Sequence, residues 1–130
     1  MEHRCSLTVR SYECDAYGHV NNANYLHYLE FARHAYLSDN GVSIPELRES
    51  GYGLLVARIA IDFRRPTTTD DHLTILTRAV RKTRIGGVLS QRIVREAETV
   101  AEAEVTWVCV DARGRLARLP AAFDHQGLSP

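Results

Sequence analysis

The spacing of apolar and polar positions changes character along the chain, and each change marks a different element. Residues 4–12 alternate, with Cys5, Leu7 and Val9 on one face and Arg4, Thr8 and Arg10 on the other, which predicts a half-buried strand. From about Asn22 to Asp39 the period lengthens: Tyr25, Leu29, Ala32 and Tyr36 recur at steps of three and four, with Leu26 and Phe31 beside them. That is the stripe of a long amphipathic helix over 22–39, stopped by Asn40-Gly41. Ser43 stands three residues before Glu46, with Pro45 between them and Gly51 beyond, so 44–50 reads as a short capped helix. From Leu54 onward the period is two. Segments 54–65, 72–83, 86–97 and 100–111 predict strands divided by turn signals at Pro66 with Asp70-Asp71, at Gly86-Gly87 and around Glu98-Thr99. Asp111 to Gly114 is a further turn, a short segment Leu116–Leu119 follows, and the tail from Ala121 is expected to fray.

One strand, one long helix and a run of antiparallel strands make an α+β domain in which about five or six strands wrap one face around the helix. Ala32 and Ala35 let the sheet approach the helix backbone closely. A sheet that does not close into a barrel keeps free edges, and pairing an edge with a second copy removes one, so a homodimer or a dimer of dimers is expected. The length of 130 residues fits a single domain, 1–130, and 45% hydrophobic with 25% charged residues is enough for a core without a metal or disulfide staple. Sixteen basic residues balance sixteen acidic ones, which argues against nucleic acid as a partner. The apolar runs, such as Leu54 to Ala57, are too short for a membrane span, and the N-terminus lacks a signal-like apolar stretch, so the expected location is the cytoplasm. Cys5, Cys14 and Cys109 are odd in number and show no metal-ligand spacing, which predicts free thiols.

The chemistry is concentrated between Tyr12 and Tyr25, where Asp15, Gly18, His19, Asn21 and Asn22 gather at the start of the long helix. Main-chain N–H groups at a helix start have no intrahelical partner and lie at the positive end of the dipole, so they suit a developing oxyanion. Asp15 lies close enough upstream to face the same point as nucleophile or base. On residues alone, helix capping and a plain turn at Gly18 explain the stretch as well.

The run DAYGHVNNANYLHYLEFAR, Asp15 to Arg33, resembles the signature of hot-dog-fold acyl-CoA thioesterases, in particular the 4-hydroxybenzoyl-CoA thioesterase-like branch. The resemblance implies a sheet wrapped round a central helix, sites at a subunit interface, and hydrolysis of an acyl thioester with no metal or cofactor. It makes Asp15 the catalytic carboxylate, by attack to a mixed anhydride or as base for water, and puts the oxyanion donor on the main chain of Asn22. Tyr17, Gly18, Val20 and Tyr25 fall within the substrate-binding stretch of the same motif. The segment also resembles plant acyl-acyl carrier protein thioesterases with a D-x-N-x-H-V-N-N pattern; Asp15 and His19 match, but Tyr17 stands where that pattern has asparagine. His19 is thus a candidate for substrate positioning or for orienting Asp15.

Other candidates are weaker. Glu30 is a carboxylate on the helix, as in a second hot-dog branch whose loop is absent here, and His27 and His34 are seven apart, a spacing unsuited to a helix metal site. Arg64-Arg65 and the run Arg78, Arg81, Lys82 and Arg84 are candidates for the phosphates of coenzyme A, or for an acidic acyl carrier protein. Tyr25, Leu26, Leu29 and Leu54 to Val56 are the expected acyl-pocket wall, with Trp107 in the sheet core. The leading expectation is an acyl-CoA thioesterase. Alternatives are an acyl carrier protein thioesterase releasing an assembly-line product, an enoyl-thioester hydratase, and a non-catalytic acyl-thioester-binding protein.

Overall fold

The structure is a computed structural model that describes residues 2–130. Among these, the chain runs through β1 (His3–Thr8), α1 (Asn22–Asp39), α2 (Ile44–Glu49), β2 (Gly53–Phe63), β3 (His72–Lys82), β4 (Gly86–Arg95) and β5 (Glu98–Val110). The strands form one antiparallel sheet in the order β1-β3-β4-β5-β2, the five-stranded α+β arrangement expected of a hot-dog fold. β1 and β2 are its edges.

Helix α1 occupies the expected span because its apolar stripe and both ends agree. Asn21 caps the start by accepting the Ala23 N–H at 2.9 Å, and Asn40 closes the end with its N–H on Tyr36 and Leu37 carbonyls. Its buried face is Tyr25, Tyr28, Leu29, Ala32 and Tyr36. The helix packs over β1 and β3, so Leu29 and Tyr28 meet Leu73, Ile75, Ile93 and Val105 in one core cluster. Each such aliphatic side chain stabilises the fold by roughly 1.5–3 kcal/mol on full burial. A second cluster joins Tyr36, Leu47, Leu89, Trp107, Cys109 and Leu128 at the other end of the helix. Between them Gln91 of β4 is fully buried yet satisfied: its amide N–H groups go to the Leu29 carbonyl and the Thr77 hydroxyl, and its oxygen accepts from Arg33 at 3.0 Å.

Four expectations are corrected. β1 ends at Thr8 rather than running to residue 12, because the Arg10 N–H turns to the Glu13 carboxylate at 2.9 Å and residues 11–13 form a 3₁₀ turn. The strand expected from residue 86 begins there, but Gly86-Gly87 is not the turn, which is 83–85: a Cβ at Gly86 would strike the Trp107 carbonyl, and one at Gly87 would sit 3.0 Å from the indole nitrogen. The β4–β5 turn is Glu96-Ala97, with Glu96 at φ 56°, while Glu98 pairs Arg95 within the ladder. Finally, the tail is packed. Leu128 is 2% exposed, the Gly127 carbonyl accepts the Tyr36 hydroxyl, and short 3₁₀ turns at 121–123 and 126–128 carry the chain across the second core cluster. The apolar residues of the tail, Ala121 to Phe123 and Leu128, follow no period that would reveal its packing.

Candidate active site

The stretch between β1 and α1 is folded back on itself by its own polar groups. Cys14 bridges Val20, the Asp15 N–H donates to the His19 carbonyl at 2.8 Å, and the Gly18 N–H donates to the Asp15 carbonyl at 3.0 Å. Gly18 holds φ +78°, a conformation that strains any side-chain-bearing residue. The loop rests on the 66–71 turn: the Val20 N–H donates to the Thr67 carbonyl at 2.9 Å and the Thr68 hydroxyl donates to the Gly18 carbonyl at 2.9 Å. Arg95 braces that turn through the Pro66 carbonyl and an ion pair with Asp71 at 2.9 Å.

Asp15 is exposed, and one of its oxygens accepts the Tyr17 N–H at 2.8 Å in an Asx turn. Its other oxygen has no hydrogen-bond partner among the described residues. At the start of α1 the N–H groups are used unevenly. Ala23 donates to the Asn21 side chain and Asn24 to the Asn21 carbonyl, whereas among the described residues no oxygen accepts the Asn22 N–H. Asp15, Asn22, Tyr25, Phe63, Arg64 and Pro66 border one open pocket of about 530 Å³, with Val20, Asn21 and Arg65 completing its wall. Tyr25 is fixed there by a hydroxyl contact to Thr67 at 2.7 Å, and Phe63 lies 5.5 Å from its ring. Burial pushes the Tyr25 hydroxyl pKa up.

Beneath the loop is a charged group that is nearly buried. Glu13 accepts the Arg10 N–H at 2.9 Å, Arg10 Nε at 3.0 Å, Arg10 Nη2 at 2.5 Å and the Tyr28 hydroxyl at 2.8 Å. Burial alone would raise its carboxyl pKa, but these donors more than offset it and hold the group below its ordinary value; burial and the same carboxylate drive the Tyr28 hydroxyl upward.

The structure therefore brings together Asp15, Asn22, Val20, Tyr25 and Arg64, and leaves others outside. Tyr17, Gly18 and His19 form the exposed outer turn of the loop and contribute through their main chain rather than by lining the pocket. Arg81, Lys82 and Arg84 lie at the far end of β3, roughly 33 Å along the strand from the His72 end that adjoins the loop, so within one chain they do not face Asp15. Lys82 is instead paired with Asp124 at 3.5 Å. Arg64 and Arg65 are held by Glu102 at 2.8 Å and Glu98 at 3.4 Å, in ion pairs that are about half exposed. The expected acyl wall is divided: Tyr25 belongs to the Asp15 pocket, while Leu54 to Val56 border a second hollow of about 250 Å³ with Trp107, Glu30 and Arg33. Leu26 is 38% exposed. Sequence reasoning missed Arg10, Glu13, Asn21, Tyr28 and Thr67; the Asn21 cap had a legible signal in its position before the helix, and Arg10 and Glu13 had one in their spacing of three, whereas Tyr28 and Thr67 join the site through contacts 15 and 42 positions apart.

Comparison with known proteins establishes the family and the fold. A family model described as the thioesterase-like superfamily matches residues 9–127. The chain is 39% identical over 109 residues to the long-chain acyl-CoA thioesterase FadM of Escherichia coli, with 82% of each chain covered. It is 34% identical over 127 residues to the chloroplastic acyl-acyl carrier protein thioesterase ATL2 of Arabidopsis thaliana, covering 92% of this chain and 64% of the plant protein. A crystal structure named "Probable Thioesterase from Bartonella henselae" superposes with a TM-score of 0.88 at 28% identity, covering 92% of this chain and 100% of the other.

Proposed function

Because this chain belongs to the thioesterase-like superfamily, we propose that it hydrolyses acyl-CoA thioesters to a free acid and coenzyme A, with Asp15 as the reacting carboxylate and the Asn22 main-chain N–H as oxyanion donor. The observation that carries the reading is that a carboxylate with one free oxygen and a helix-start N–H with no acceptor border the same pocket. With the thioester carbonyl oxygen on the Asn22 N–H, the free Asp15 oxygen takes a proton from water as the water oxygen bonds to the carbonyl carbon. The charge that develops on the carbonyl oxygen is met by the N–H and by the positive end of α1. Collapse breaks the C–S bond, and the proton passes to the departing thiolate. Direct attack by the same oxygen would give a mixed anhydride that water then opens; both routes need the geometry described. The free oxygen stays unhindered because the Asx turn to Tyr17 occupies the other one, and the His19 carbonyl holds the Asp15 N–H.

Arg64 and Arg65 are suited to the phosphates of coenzyme A. Their exposed pairs with Glu102 and Glu98 are of a kind worth only about 0–1 kcal/mol, so a phosphate that accepts a bidentate bond displaces them at little cost. The functional unit is a homodimer through β2, an edge strand that leaves Leu55 at 53%, Val56 at 44% and Phe63 at 50% exposed. A two-fold axis across that edge pairs β2 with its copy antiparallel, which turns the Arg81, Lys82 and Arg84 end of one protomer toward the Asp15 end of the other. In that arrangement the basic run serves the partner's substrate.

The test is thiol release from short, medium, long-chain and aromatic acyl-CoAs, with Asp15→Asn in parallel. Turnover that falls about 10²–10⁴-fold in kcat in the variant supports the reading; no turnover, or a variant as fast as the parent, refutes it. Likeness to the plant protein favours a second reading, the same chemistry on acyl carrier protein, which carrier-bound acyl groups in the same assay would reveal.

A further inference from the structure

A near-buried charge with no part in the chemistry above sits two residues before Asp15. A carboxylate taken out of water costs several kcal/mol unless its oxygens are filled, and the four donors from Arg10 and Tyr28 fill those of Glu13. Its side chain is 10% exposed, while that of Arg10 is 50% exposed, so the acid is the inner member of the pair. The same residue acts a second time through its main chain. The Glu13 carbonyl accepts the Asn21 N–H at 3.0 Å and the Asn24 side-chain amide at 2.8 Å. Entry to the Asp15 loop and exit from it are thus tied to one residue, and Tyr28, one turn beyond Asn24 on α1, ties the helix to that residue's carboxylate.

From this arrangement we propose that Glu13 is a positioning residue for thioester hydrolysis: its clamped side chain fixes the carbonyl that holds Asn21 and Asn24, and so sets the Asn22 N–H against the Asp15 carboxylate. The inference rests on the roles given above to Asp15 and Asn22. Asp15 is two residues along the chain from Glu13, and Asn22 adjoins Asn21, so a loosened Glu13 peptide displaces both reacting parts relative to each other. Reaction rates respond steeply to such displacement: about 1 Å of misplacement costs on the order of 10²-fold. Substrate binding is affected less, because the pocket wall of Tyr25, Phe63 and Arg64 is held by separate contacts to Thr67 and Glu102.

The experiment measures kcat and KM for the best acyl-CoA, together with the thermal midpoint, in the full-length parent and in Glu13→Gln, Tyr28→Phe, Arg10→Met and Arg10→Lys. The expected result is a kcat at least tenfold lower in Glu13→Gln with KM within about twofold, a smaller drop of the same kind in Tyr28→Phe, and more activity in Arg10→Lys than in Arg10→Met. A merely structural role would lower the midpoint and leave kcat per folded molecule unchanged, and that result overturns the proposal. If Glu13→Gln does not fold, Tyr28→Phe, which removes one donor of the four, decides by the same criterion. A parent that hydrolyses no acyl-CoA overturns the underlying reading and this inference with it, whereas an active parent with equally active variants overturns the inference alone.

Discussion

Leu128→Ala separates the packed tail of the structure from the frayed tail that the residue pattern suggests. Leu128 is 2% exposed among Tyr36, Leu89 and Trp107, and the replacement deletes three carbons from that contact. At about 0.8 kcal/mol per buried methylene the transfer loss is about 2.4 kcal/mol. The added cavity penalty is small here, because Leu128 also borders the hollow of about 250 Å³ beside α1 and its neighbours have room to relax or hydrate. A cost of about 2–3 kcal/mol follows. For 130 residues an unfolding entropy of about 2.1 cal/mol/K per residue gives about 0.27 kcal/mol/K, so the midpoint falls by about 7–11 °C. Scanning calorimetry at one fixed protein concentration, which any self-association demands, is the assay. Exposed Gln126→Ala is the control, expected within about 2 °C of the parent. A shift under 2 °C in Leu128→Ala as well would refute the packed tail and the argument built on it.

Tyr25→Phe removes a 2.7 Å contact between two buried hydroxyls and leaves Thr67 without that partner, so urea denaturation should show a loss of about 1–3 kcal/mol. Glu13 has a folded pKa below its ordinary value of 4.5, so the stability it confers is complete above about that pH and is lost as pH falls through the lower folded value. Thermal midpoints from pH 6 down to pH 3 should therefore drop more steeply in the parent than in Glu13→Gln; equal slopes would contradict the charged clamp. Val56→Asp puts a charge on the exposed β2 edge, and light scattering should show a dimeric parent reduced toward the 14.6 kDa monomer, whereas an unchanged mass would place any interface elsewhere.

Elements whose signals are local were legible in the residues, and those made by distant contacts were not. Helix α1 could be bounded at both ends because its stripe, the asparagines before it and Asn40 all lie within one window. The Asp15 to Asn22 stretch also lies within one window, but capping and a turn account for its residues equally well, and its resemblance to a family signature is what singles it out. Gly86 and Gly87 misled because a glycine pair looks alike whether it makes a turn or admits a Trp107 carbonyl and indole from the adjacent strand. Glu13 looks in the sequence like one more polar loop residue, since its burial comes from Tyr28 fifteen positions on and from the fold of Arg10 around it. The basic run at Arg81 to Arg84 shares its charge with Arg64, but strand direction puts the two at opposite ends of the sheet.

The strand order also dictates when the site can exist. Hairpins β3–β4 and β4–β5 close across residues 83–85 and 96–97, whereas β1 must find β3 across the 64 positions that separate Thr8 from His72. On the logarithmic cost of loop closure, that long connection is dearer than the short turns by roughly 2–3 kcal/mol of entropy. The meander is therefore the early nucleus, and β1 with the loop that follows it docks late. A late-docking edge is also the first to detach, so excursions that free β1 dismantle the Asp15 loop while the meander stays intact. Activity should accordingly vanish at a lower denaturant concentration than the one that melts the sheet.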